Sequence, residues 1–283
     1  MHRDDWEAVY LNQDRILGVL KSLKSDIVLA GGTGLHRFML SRPYRYSEDL
    51  DFFFPMLVSK DEAMRVGREI VNLIESLPDA KIKEKRWFKE EQVYRIWCGF
   101  EDNHEIIKIE LLNFTCIRVR ETAYSCITPF KTENFYNLLL YKLKALCDRP
   151  DTIKDLFDLY FIWRELPGMS IDEIIRDLNS KFKDAIGICY TREEIISALN
   201  HHLTWDIETG DIPHLYDMQR EIAAFQERLR QMIDDNEDIL DFSYQKRIVE
   251  NAKVYGLDLE NYLNLIDVLE ENNFWIDEVK KMY

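Results

Sequence analysis

The spacing of apolar residues divides the chain into a mixed first half and a helical second half. Trp6, Val9, Tyr10, Ile16, Val19 and Leu20 recur at helical intervals and predict a helix over 4–22. The run Ile27-Val28-Leu29-Ala30 reads as a buried strand over 26–30, and Gly31-Gly32 then turns the chain into a helix beginning near Thr33 and running to the Arg42-Pro43 break. Leu50-Asp51-Phe52-Phe53-Phe54 is rich in strand formers. A helix over 61–77 ends at Pro78, after which 80–86, 92–100 and 105–114 alternate as strands do, with 101–104 as a turn. From Thr132 the period is helical, broken at Arg149-Pro150, Leu166-Pro167-Gly168 and 209–213. This is an α+β pattern: a small mixed β-sheet core with flanking helices over 1–129, then an all-helical C-terminal domain over 130–283, with the boundary near Pro129.

At 283 residues and 46% apolar content the chain can fill a large core or two smaller ones, and two domains are expected. No run approaches the 18 or more apolar residues of a membrane span, and the first residues lack the apolar segment of a secretory signal. The five cysteines are odd in number and widely spaced, as reduced core thiols would be, so a cytoplasmic protein is expected. The net charge of −15 disfavours a polyanionic partner on average. Against that average, Lys81, Lys83, Lys85, Arg86 and Lys89 cluster around Trp87 and Phe88, and Arg42 and Arg45 precede the aromatic strand. Two readings fit the cluster: basic and aromatic residues gripping an unpaired nucleic acid, or an edge strand protected by lysines.

The candidate chemistry lies between residues 31 and 51. A glycine turn at the start of a helix exposes backbone N–H groups suited to a phosphate chain, which nominates Gly31, Gly32 and Thr33. Asp49 and Asp51, two apart on an extended segment, project from one face, and two like charges there call for a cation. Magnesium or manganese, held by carboxylates and triphosphate oxygens, is the expected cofactor, with a nucleoside triphosphate as substrate. Ser47 shares that face, either bonding or accepting a phosphate or merely capping the strand. On the strand at 105–114, alternation turns Ile107, Ile109 and Leu111 to one side and Lys108 and Glu110 to the other. Lys142 and Lys144 flank a broad apolar helix face, and Asp155 and Asp158, three apart, share a face of the next helix, where an ordinary charged surface is the competing reading.

Taken in order, Gly31-Gly32-Thr33, Arg45-x-Ser47-Glu48-Asp49-Leu50-Asp51-Phe52, the run Lys142-Leu143-Lys144-Ala145-Leu146 with Arg149, and Lys154-Asp155-Leu156-Phe157-Asp158-Leu159 resemble the AbiEii-type nucleotidyltransferases, toxin components within the polymerase-β-like superfamily. The 15-residue spacer between Thr33 and Asp49 is longer than in minimal members. The resemblance covers roughly residues 26–160. It implies a nucleotidyltransferase core, with Asp49 and Asp51 as metal ligands and Glu110 as a third carboxylate serving metal or base. It also implies that Lys142 neutralises the triphosphate, and that Asp155, ahead of Asp158, acts as the last motif acid. Transfer RNA as acceptor and a cognate antitoxin as partner are further implications. Transfer to a small-molecule or protein hydroxyl, and a nucleotide-binding regulatory module without turnover, are the alternatives. Nothing suggests another chemistry: there is no Gly-x-Ser-x-Gly and no Gly-Lys-Ser/Thr phosphate loop, and His36 stands isolated in the sequence.

Overall fold

The strands at 28–30 and 50–53 are short and mostly apolar because the sheet is covered there on both faces. The structure, a computed structural model, describes residues 3–40, 44–101, 105–113, 131–166, 170–201 and 215–235. After helix α1 (Arg3–Leu20), strand β1 (Val28–Ala30) leads into α2 (Gly31–Thr33), which continues as a wider, π-type helical turn over Gly34–Met39. Then follow β2 (Leu50–Phe53), α3 (Lys60–Glu75), β3 (Ala80–Phe88), β4 (Val93–Phe100), β5 (Ile106–Leu112) and β6 (Lys131–Thr132). The rest is helical: α4 (Phe135–Asp148), α5 (Ile153–Trp163), α6 (Ile171–Ile186), α7 (Arg192–Leu199) and α8 (Leu215–Asp235).

Among the described residues the strands form one mixed sheet in the order β3-β4-β5-β2-β1-β6. β2 pairs antiparallel to β1 and parallel to β5, and the register sets Asp51 beside Glu110. β4 pairs antiparallel to β5, with Arg95 opposite Glu110. Alternation assigns each face. Leu50 and Phe52 are fully buried with Ile107, Ile109 and Leu111 under α1 and α3, while Phe53 turns the other way and packs on Tyr141 of α4, ring centroids 4.6 Å apart. Each such large apolar side chain contributes about 1.5–3 kcal/mol on burial.

The α+β architecture expected from the pattern is the one observed. The glycine-turn helix differs in detail: it begins at Gly31, two residues before the expected start, because Gly31 adopts a φ of 63° that lets the strand turn directly into the helix. The Arg42-Pro43 break, the boundary near Pro129 and the break at 209–213 lie outside the described residues. Lys131 and Thr132 still belong to the sheet, paired parallel to β1. Asn134 caps α4 and Ser59 caps α3, each side-chain oxygen accepting a backbone N–H from three residues on. β3 is an edge of the described sheet, with Lys83, Lys85, Arg86 and Lys89 exposed. Its aromatics are engaged: Trp87 packs on the sheet–α3 core, and Phe88 lies under the guanidinium groups of Arg86 and Arg95. No described helix is long and apolar enough to cross a membrane.

Candidate active site

Three carboxylates gather on the sheet face turned toward α4. Asp51 projects from β2 beside Glu110 of β5, and Asp49, just ahead of β2, reaches the same place. The Lys108 ammonium lies 2.7 Å from Asp49 Oδ2 and 3.6 Å from Glu110 Oε2. Arg95, opposite on β4, bonds Glu110 with its Nε and Glu91 with its other nitrogens. Burial, then the neighbouring charges of Asp49 and Glu110, push the Asp51 carboxyl up to about 7. At this site the fold holds more negative charge than its own cations balance.

The segment carrying Asp49 is fixed from three sides. Thr33 Oγ1 donates to the Asp49 carbonyl at 2.5 Å. Gln13 of α1, fully buried, donates its amide to the carbonyls of Ser47 and Glu48 at 2.8 and 2.9 Å, and accepts from Arg37 at 2.7 Å. The glycines give the third constraint. A Cβ on Gly31 would run into the Asp51 carboxylate, and one on Gly32 would run into the Arg45 guanidinium and lie 2.7 Å from Ser47 Oγ. Here the glycine turn is the surface against which Asp51, Arg45 and Ser47 are packed. The Thr33 hydroxyl is spent on the Asp49 backbone, and Ser47 is buried against Gly32.

Beside these carboxylates runs a second set of charges, in which three cations meet two carboxylates. Asp158 of α5, fully buried, takes Arg45 in a two-pronged pair (Nε to Oδ1 2.6 Å, Nη2 to Oδ2 2.7 Å), Lys142 at 2.6 Å and His36 Nε2 at 2.8 Å. Asp155 takes Lys142 at 2.9 Å and Arg149 Nε at 2.6 Å. Burial alone would raise both carboxyls. Lys142 and Arg149 nonetheless hold Asp155 below its ordinary value, and Arg45 with Lys142 and His36 holds Asp158 well below. Burial lowers the proton affinity of His36, so the neutral ring donates from Nε2 to Asp158 and accepts the Tyr44 N–H at Nδ1. Asp155 and Asp158 are therefore interior groups, not a charged helix surface. His36, isolated in the sequence, is joined here to a residue 122 positions away. Lys142 and Arg149 both feel the charge of Asp51, so the two sets adjoin.

A profile of the family described as nucleotidyl transferase AbiEii toxin, Type IV TA system, matches residues 15–246. The chain belongs to this family. Among solved structures, the AbiEii-family chain is similar to MenT4, a nucleotidyltransferase toxin of Mycobacterium tuberculosis H37Rv, at 18% identity and a TM-score of 0.51, over 90% of this chain and 94% of that one. It is also similar to JHP933 from Helicobacter pylori, at 19% identity and a TM-score of 0.45, over 83% of this chain and 96% of that one. No curated protein matches it in sequence. The MenT4 likeness supports the fold, and the family match makes the chain a nucleotidyltransferase of the AbiEii type.

The geometry thus collects every candidate site residue in one region: Gly31, Gly32, Thr33, Ser47, Asp49 and Asp51 with Glu110 on one side, and Lys142, Asp155 and Asp158 on the other, whereas Lys144 turns to Asp148. Sequence reasoning gave Gln13, His36 and Lys108 no role, and weighed Arg45 both as a basic residue that could favour a nucleic acid and as part of the family-like motif. A glutamine on a helical face and a lysine two residues before a candidate acid were the available signals. Neither names its partner.

As a test of fit for a divalent cation, the donor set is chemically apt: three carboxylate oxygen donors, one with strongly raised proton affinity, and an ammonium already standing in for positive charge. Among the described residues no three acidic, histidine or cysteine side chains yet close on one point as a metal cage. The ammonium of Lys108 holds Asp49 and Glu110 instead.

Proposed function

We propose that the protein is a magnesium- or manganese-dependent nucleotidyltransferase that moves a nucleoside monophosphate from a nucleoside triphosphate to a hydroxyl, with transfer RNA as the acceptor. The single observation that carries the reading is the excess negative charge of Asp49, Asp51 and Glu110 on one face, next to a network in which three cations meet two carboxylates. In the reaction the acceptor oxygen forms a bond to the α-phosphorus, the α–β bridging bond breaks and pyrophosphate leaves. The hydroxyl proton passes to a carboxylate of the cluster, Glu110 in this reading.

Asp49, Asp51 and Glu110 would hold the cation, which when bound would neutralise phosphate charge and polarise the phosphoryl oxygens. The remaining roles fall to the chain itself. Gly31 and Gly32 let Asp51 and Arg45 abut the turn, and Thr33 and Gln13 hold the backbone that aims Asp49. Lys142 balances the triphosphate while anchored by Asp155 and Asp158. Arg149, bonded to Asp155 on one side and 60% exposed, offers its free edge to the same phosphates. A division into a core over 1–129 and a helical part over 130–283 suits this arrangement, since Lys142, Asp155 and Asp158 reach the sheet from the helices. The cognate antitoxin of the type IV system is the protein partner in this reading.

The deciding experiment incubates the protein with magnesium, each of the four α-labelled nucleoside triphosphates and a total cell extract, then separates RNA, protein and small molecules. Label should enter the RNA fraction at transfer RNA length. Asp49→Asn or Asp51→Asn should lower the rate about a hundredfold or more while the protein stays folded. Label in the protein or small-molecule fraction would replace the acceptor, as the net charge of −15 favours. Undiminished transfer by a folded Asp51→Asn would remove the carboxylates from the mechanism.

A further inference from the structure

The cations near the carboxylate face are not equivalent. Lys142 is fixed between Asp155 and Asp158 within the interior network, and Arg95 is shared between Glu91 and Glu110. Lys108 is different. Its ammonium spans Asp49 and Glu110, 2.7 and 3.6 Å away, and its side chain remains 30% exposed. No other cation of the described residues makes an ion pair with both Asp49 and Glu110. A lysine ammonium is a compact, strongly hydrated charge on a flexible stem, well suited to leave one anionic site for another.

We propose that Lys108 is a tethered cation that fills the carboxylate cluster while no divalent ion is bound, and that it competes with that ion for Asp49 and Glu110. The proposal rests on the reading of these carboxylates as metal ligands and adds to it a residue that sets how much metal the protein requires. The physical argument is occupancy. Three carboxylates on one face of the sheet repel one another unless a cation sits among them, and Lys108 supplies one from within the fold. A divalent ion must then displace the ammonium before Asp49 and Glu110 can turn to it, and the apparent affinity falls by the fraction of molecules in which Lys108 has let go. The displaced ammonium is left at the mouth of the site, where a triphosphate brings negative charge.

The test is manganese binding, read from the loss of the free-ion resonance signal, in wild type, Lys108→Met, Lys108→Gln and Asp51→Asn. Both Lys108 variants should bind manganese about tenfold tighter or more than wild type. Without manganese they should melt at a lower temperature than wild type, and saturating manganese should raise their melting temperature by more. If Lys108→Met does not fold without metal, Lys108→Gln, which keeps a polar donor on the strand while removing the charge, carries the comparison. Saturable wild-type binding that Asp51→Asn abolishes, but that both Lys108 variants match or weaken, would overturn the role of Lys108 and leave the metal-holding carboxylates standing. Absence of saturable binding in every variant would overturn both.

Discussion

Asp158 and Asp51 are aspartates at the same junction of sheet and helices, yet the fold treats them in opposite ways. Around Asp158, Arg45, Lys142 and His36 more than offset burial, and the carboxyl is held well below its ordinary value. Around Asp51, burial and the like charges of Asp49 and Glu110 win, and the carboxyl rises to about 7 despite Lys108 and Lys142. The first arrangement is complete within the chain: it ties α4 and α5 to the segment before β2 and needs no ligand. The second is incomplete: Lys108, Arg95 and the nearby Lys142 offset part of its charge, and Asp51 is still left with its proton affinity raised. Carboxylates crowded by like charges mark a site for binding, whereas buried carboxylates each paired with cations of the chain mark a joint. The family motif contains both kinds of aspartate, and sequence spacing does not separate them.

The comparison can be broken first at Asp158. Asp158→Ala strands the Arg45 guanidinium in the interior and removes one partner of Lys142, so it should lower unfolding free energy by about 3–5 kcal/mol in chemical denaturation. A loss below about 1 kcal/mol would mean that the network is not the joint between helices and sheet. Next in size is Gly31→Ala. The residue sits at a φ of 63° with the Asp51 carboxylate against it, so a methyl group there should cost about 2 kcal/mol and should also displace Asp51. Transfer should therefore fall further than the stability loss explains. Equal stability and activity in Gly31→Ala would show that the turn does not set the carboxylate's position.

Much of this was legible in the sequence, for local reasons. Alternation along 105–114 placed Lys108 and Glu110 on the face opposite Ile107, Ile109 and Leu111, and those three are fully buried. The apolar runs located the strands to within a few residues, because strands covered on both faces must be continuously apolar. The candidate site residues were nominated partly by resemblance, and the fold brings them into one region. What stayed hidden depends on partners far along the chain. His36 and Arg45 meet Asp158 across 122 and 113 positions, and Gln13 meets Ser47 across 34. The glycines also had a second meaning that composition does not carry. They were read as a phosphate cradle, and their structural necessity is the close approach of Asp51 and Arg45 to the turn.

The sharpest test of the contrast is the difference in unfolding free energy between Asp51→Asn and wild type, both metal-free, as pH rises from 4 to 8. An acid whose folded value is raised from 3.8 to about 7 binds more protons folded than unfolded in that window, so its penalty is absent at the acid end and complete above about 7. Asp155 and Asp158, whose values are lowered, lose their contribution only as pH falls through the acid range, and lowered His36 loses stability as pH falls below its ordinary 6.5. Both effects are common to the two proteins and cancel in the difference. The account predicts that Asp51→Asn matches wild type near pH 4 and becomes more stable by about 4 kcal/mol at pH 8, while losing transfer activity. A difference that does not change with pH, or a variant less stable than wild type at pH 8, would contradict the claim that the fold holds uncompensated charge at this site.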